Sequence, residues 1–187
     1  MKQKPNNSHE QVIPWHLLRL SMIIRNELES DVETISSVTR AAFKSCPYGN
    51  HTEEFIVNAL RAANALTVSL VAEVGGKVVG HIAFSPVTIS GGSQNWYGLG
   101  PITVLPEFQE QGIGKSLIHG GLSLLKALGA KGCVLVGNPK YYERFGFKNL
   151  PDLVLDCVPQ EYFLALTFGM EEIHGVVMFH QGFTASG

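Results

Sequence analysis

Gln109-Glu110-Gln111-Gly112-Ile113-Gly114-Lys115-Ser116 follows the apolar run Ile102-Thr103-Val104-Leu105, and a helical pattern sets in from Ile113. Strand, glycine turn and helix, in that order, aim several unpaired backbone N–H groups at one spot. The aligned peptide dipoles add roughly half a positive charge there. Glycine at 112 and 114 keeps side chains out of the way. The octet therefore predicts a phosphate-sized anion site where a strand hands over to a helix.

Downstream of the octet, Leu117, Leu124, Leu125 and Leu128 continue the apolar face that Ile113 opens. Gly120 and Gly121 each cost the helix about 1 kcal/mol relative to alanine, which close packing on a sheet explains. Gly129 is a helix stop. Residues 133–136 form a continuous apolar run, as in a buried strand parallel to its predecessor, so 102–136 reads as a βαβ crossover. Residues 139–144 predict a short helix, Gly146-Phe147 a short strand, 150–160 a loop, and 173–179 a late strand. Residues 160–170 are apolar without a decisive period.

Upstream, residues 22–25 predict a strand. Glu29-Ser30-Asp31 is a helix start for Val32, Ile35, Val38 and Phe43. A second helix follows His51-Thr52, with Thr52 as cap and Phe55, Leu60 and Ala63 as its main apolar residues. Residues 68–74 and 77–85 are strands joined by Gly75-Gly76. Pro86 limits central pairing, and 87–89 extend the strand beyond it. Residues 96–104 form a long strand in which Gly98, Gly100 and Pro101 mark a bulge or a close backbone approach. The sum is a mixed α/β fold: a largely antiparallel sheet with one parallel βαβ crossover, flanked by helices.

The chain has 187 residues, 45% hydrophobic and 16% charged, with net charge −2. That suits one domain over 22–182, preceded by a polar extension over 1–21 and followed by a tail over 183–187, with Met22 an alternative start. The weak charge argues against nucleic acid as a partner. No apolar stretch reaches the ~20 residues of a membrane span. Cys46, Cys133 and Cys157 are odd in number and lack CxxC spacing, which disfavours a disulfide framework or a zinc site and fits a reducing cytoplasm. Exposed late strands offer an edge through which two copies could pair as a homodimer.

Residues 99–114, Leu-Gly-Pro-Ile-Thr-Val-Leu-Pro-Glu-Phe-Gln-Glu-Gln-Gly-Ile-Gly, resemble the central motif of the GNAT superfamily of N-acetyltransferases, Arg/Gln-x-x-Gly-x-Gly/Ala after a strand. Gln109, Gly112 and Gly114 fill its fixed positions. Tyr141-Tyr142-Glu143-Arg144-Phe145-Gly146-Phe147 is similar to the family's Tyr-x-x-x-Gly-Phe element. The resemblance covers most of the chain and implies the GNAT fold and acetyl transfer from acetyl-CoA to a primary amine, with coenzyme A as product. It further implies that the backbone amides of Gln111, Gly112, Ile113, Gly114 and Lys115 hold the pyrophosphate, that Gln109 and Ser116 also bind the cofactor, and that Ile102, Thr103 and Val104 pair with the pantetheine arm. Asn138 and Tyr142 would border the same cofactor, with Tyr142 protonating the leaving thiolate. The amine acceptor is unidentified.

Gly114-Lys115-Ser116 has the ending of a Walker loop, but Gln109 stands where that loop needs its first glycine. A doubly wound nucleotide fold is disfavoured too, because Leu117 occupies the third glycine position of its fingerprint. A non-catalytic acyl-CoA-binding module of the same fold is the alternative to an enzyme.

A thioester is already activated, so a deprotonated, aligned amine attacks it directly. An amine with a pKa of ~10.4 needs a base, acting directly or through water, and backbone N–H groups near 102–104 could hold the oxyanion. No residue stands out as the base. His81 lies on an apolar strand face and reads as a satisfied core group. Glu54 and His51 sit at a helix start, Glu107 in a loop and His119 on an exposed helix face, while His174 and His180 belong to the late strand. By analogy the first two helices and the segment 150–170, with Tyr48, Phe55, Tyr162 and Phe163, would wall an apolar acceptor cleft.

Overall fold

The computed structural model describes residues 21–44, 52–170 and 172–186. The bulk of the expected N-terminal extension, Cys46, Tyr48 and His51 lie outside them. Among the described residues eight strands form one mixed sheet: β1 (Met22–Asn26), β2 (Val68–Val74), β3 (Lys77–Ile89), β4 (Trp96–Val104), β5 (Gly132–Val136), β6 (Leu153–Val154), β7 (Phe163–Thr167) and β8 (Gly175–Phe179). The main path runs β1-β2-β3-β4-β5-β7; β8 pairs with the far end of β3, and β6 pairs with β8. Neighbours are antiparallel except β4 with β5 and β6 with β8. The helices are α1 (Val32–Phe43), α2 (Glu53–Ala62), α3 (Ile113–Ala127) and α4 (Pro139–Tyr142).

Local chemistry fixes these boundaries. Asp31 accepts from Leu28 N at 2.8 Å and from both Arg25 terminal nitrogens, tying the start of α1 to β1. Gly129, at φ 78, ends the α3 segment as its composition predicts. Pro86 stands inside β3 and the strand continues to Ile89, where Val87–Ile89 pairs with β8. Thr52 takes the expected position ahead of α2, although its side chain makes no capping bond.

Four expectations are corrected. Gly146-Phe147 is not a strand: Phe147 is a fully buried core residue, and only Lys148 bridges Ala165. The two-residue β6 sits inside the segment expected as loop, and β7 emerges from the ambiguous 160–170 stretch. On α2 the buried stripe is Val57 and Leu60, which leaves Phe55 and Ala63 exposed. On α3, Ile118 and Leu122 join Ile113, Leu117 and Leu125 in the core. Leu124 lies at the margin of that face at 38% exposure, and Leu128 caps the helix beyond its last turn at 60%.

The glycine pair explains the orientation of α3. A Cβ on Gly121 would stand 2.1 Å from Phe84 Cε2, so the helix lies directly on the fully buried Phe84 ring. Gly120 meets Ile24 and Leu70 more loosely, at 3.3 and 3.4 Å. This seat places the N-terminus of α3 beside β4, where the sheet comes apart.

Candidate active site

β4 and β5 are bonded only at Trp96↔Gly132, Tyr97↔Cys133 and Gly98↔Val134. Past Gly98 the strands part. β4 keeps its other edge on β3, through Ile82↔Ile102, His81↔Thr103 and Gly80↔Val104, so one backbone edge of 99–104 faces an opening. A β4 register shift against β3 coincides with Gly100-Pro101, the position where composition suggested a bulge.

The octet closes this opening from one side. Gly112 adopts φ 84, ψ 0 ahead of α3, a left-handed conformation suited to glycine. The first helical bond runs from Ser116 N to Gly112 O at 3.0 Å, and no side chain caps the helix. The N–H groups of Ile113, Gly114 and Lys115 therefore have no intrahelical partner. They border a cleft of about 630 Å³, lined by Ile102, Thr103 and Val104 from β4, by Phe108, Gln109 and Glu110 from the loop, by Gly112, Ile113, Gly114 and Lys115, and by Tyr141 and Arg144.

Eight of the twelve coenzyme residues implied by the resemblance thus meet in one cleft, and the other four lie around it. Gln111 donates to Glu107 O at 3.1 Å and stabilises the loop. Ser116 spends its N–H within the helix. Asn138 caps α4 by accepting from Lys140 N at 3.0 Å. Gln109 lines the cleft but also donates to Val104 O at 3.0 Å, pinning the loop to β4. Tyr142 packs behind the cleft against Tyr141, Phe145 and Phe147, and over Gly137, where a Cβ would stand 2.4 Å from its ring. Burial, with lesser contributions from Tyr141 and Cys133, pushes its phenol well above the usual value, which makes it a weaker acid than a free tyrosine.

Sequence reasoning missed Tyr141 and Arg144 as cleft residues. Tyr141 Oη reaches to 3.1 Å from where a Gly114 Cβ would stand. The helical offset of three between Tyr141 and Arg144 was the available signal.

The base candidates are accounted for differently. His81 is fully buried, as its apolar setting suggested. Its Nε2 lies 2.8 Å from Ser69 Oγ. Ser69 donates its one proton to Glu27, so Nε2 carries the hydrogen and Nδ1 is the bare nitrogen of the neutral ring, without a partner among the described residues. Glu54 is held by Arg40 in two bonds of 2.9 and 2.6 Å, which keep its carboxyl below the usual range and make it a weak base. Glu107 and His119 are exposed, the latter edge-on to Phe145. His174 is exposed, and His180 Nδ1 accepts from Gly182 N. Phe163, expected as an acceptor wall, is 2% exposed and belongs to the core beneath β5 and β7; Phe55 and Tyr162 are exposed.

Residues 34–147, which contain the parted strands and the glycine turn, match the family model described as acetyltransferase (GNAT) family. The chain belongs to the GNAT family. It is 36% identical over 128 residues to the uncharacterized N-acetyltransferase YhbS of Escherichia coli K12, covering 68% of this chain and 74% of YhbS. The crystal structure of a GNAT acetyltransferase from Brucella melitensis in complex with acetyl-CoA superposes with a TM-score of 0.78 at 50% identity, covering 88% of this chain and 99% of that one. E. coli YhbS in complex with CoA gives 0.82 at 31% identity, covering 90% and 94%. No described helix of this GNAT chain is long and apolar enough to cross a membrane.

Proposed function

We propose that this protein transfers the acetyl group of acetyl-CoA to a primary amine by direct attack on the thioester. The observation that carries the reading is the alignment of two unpaired edges on one cleft: the α3 N-terminus and the parted edge of β4. The first suits a diphosphate. The second suits an extended, amide-bearing arm, which would add to the sheet as a strand does. Two relatives solved with acetyl-CoA or CoA support the same ligand here.

In this reading the diphosphate sits on the N–H groups of Ile113, Gly114 and Lys115. The pantetheine arm runs along 102–104 and brings the thioester to the point where β4 leaves β5. The amine nitrogen forms its bond to the acetyl carbon, and the carbon–sulfur bond breaks. Backbone N–H groups on the open edge of β4 stabilise the oxyanion. Tyr142 gives its proton to the departing thiolate; its phenol is neutral at pH 7 with or without burial, and its place in the Tyr-x-x-x-Gly-Phe element is what supports the role. The amine loses its proton to water.

Tyr142→Phe is the test. Acetyl-CoA affinity, read by calorimetry, should stay within about twofold while turnover on an amine falls about 10²-fold or more, as for loss of a general acid. Full turnover in Tyr142→Phe would remove the donor role. A wild-type protein that binds acetyl-CoA yet acetylates no amine in a broad panel would favour the binding-module alternative.

A further inference from the structure

Two cations border the cleft, Lys115 and Arg144, against one carboxylate, Glu110. The diphosphate of the proposed ligand is matched by the helix N-terminus and the neighbouring Lys115, and Arg144 is left over. Its placement is unusually determined for an exposed arginine. Nε donates to Tyr141 O at 2.8 Å, and the guanidinium lies over the Tyr141 ring, 4.4 Å from its centroid, with the Phe145 ring at 5.8 Å. Tyr141 is itself lodged against Gly114. One edge of the guanidinium and one face are thereby occupied. Nη1 and Nη2 have no acceptor among the described residues. They form a planar two-toothed donor, held in place before any ligand arrives.

We propose that Arg144, stacked on Tyr141, reads the 3′-phosphate of the coenzyme and makes this site selective for coenzyme A over its 3′-dephosphorylated form. This rests on the acetyl-CoA reading above. A phosphate monoester presents two or three oxygens and up to two negative charges, the partner that a fork of two parallel N–H groups fits best. Tyr141 acts as the positioning residue: its carbonyl and its ring set the plane of the fork. The ordering cost falls on folding rather than on binding, so the contact contributes to affinity more than a free surface arginine would.

The test compares acetyl-CoA with 3′-dephospho-acetyl-CoA by calorimetry, on the full chain. The wild type should prefer acetyl-CoA by about tenfold or more, the range of a charge-assisted hydrogen bond at a partly exposed site. Arg144→Gln should lose that preference, weakening acetyl-CoA about tenfold and leaving the dephosphorylated compound within about twofold. Arg144→Lys, which keeps the charge but not the fork, should retain part of the preference, and it carries the test if the glutamine variant fails to fold. An unchanged ratio of the two affinities in Arg144→Gln and Arg144→Lys overturns the assignment, including the case where both ligands weaken equally. A wild type that binds neither compound overturns the acetyl-CoA reading, and this inference with it.

Discussion

Gly120 and Gly121 are neighbours on α3, yet replacing each by alanine should move stability in opposite directions. Both changes relieve the backbone of glycine and gain about 1 kcal/mol of helix propensity. They differ in what the new methyl meets. At 121 it would stand 2.1 and 2.5 Å from two carbons of the Phe84 ring, which is fully buried and has nowhere to turn. Ordinary carbon contacts lie at about 3.5–4.0 Å, so helix or ring must shift by roughly 1.5 Å. Overpacking of that kind costs about 1–3 kcal/mol or more, which exceeds the propensity gain. At 120 the nearest carbons are the ends of Ile24 and Leu70, at 3.3 and 3.4 Å. They need yield only a few tenths of an ångström. Thermal melting of the unliganded protein separates the two cases. Gly121→Ala should melt several degrees below wild type, at about 2–4 °C per kcal/mol for a chain of this size, and Gly120→Ala at or slightly above it. If the two variants melt together, the helix does not rest on Phe84 as described.

Gly112→Ala meets no atom within 4 Å, so its cost to the unliganded fold is the left-handed φ of 84, about 1 kcal/mol. Its methyl would also intrude where a diphosphate would sit. Acetyl-CoA affinity should therefore fall by more than the melting shift implies, and calorimetry beside thermal melting reads both. Glu27 governs an acid-side stability change. Its burial would raise the carboxyl, but His81, Arg61 and Ser69 outweigh that and hold it well below the usual range. With a folded value below the unfolded ~4.3, its contribution is complete above that pH and is lost as pH falls toward the folded value. Glu27→Gln should lower stability at pH 7 by about 1–3 kcal/mol, because it leaves Arg61 poorly paired, and should flatten the loss between neutral and acid pH in urea titrations. An unchanged acid-side slope would count against the network.

The glycine turn, the crossover and the strand order around it were legible because each rests on local rules. A glycine pair at fixed spacing, an apolar run of strand length and a two-residue turn carry their meaning within a few residues. The parted strands were legible only through the family resemblance, since no local signal says that β4 and β5 share three rungs rather than five. Phe147 looked like a strand residue because it is apolar and follows glycine; in the fold it is a plug between layers. Phe55 and Phe163, both expected to wall one acceptor cleft, end in opposite settings, exposed and core, for a related reason. Aromatic character marks a residue as buried or contacting, and tertiary packing decides which. Arg144 was passed over because a charge on a short helix is usually solvated; only its stacking on Tyr141 sets it apart.

The seam between β4 and β5 has a mechanical side. Three rungs, together with the reach of β3 to β8, join a four-strand panel to the remaining strands. A guest lying along 99–104 would supply the missing rungs and act as mortar between the panels. Its arrival should then be felt as slower amide exchange along the seam, with little change of outline, and its departure as a loosening of the same strands.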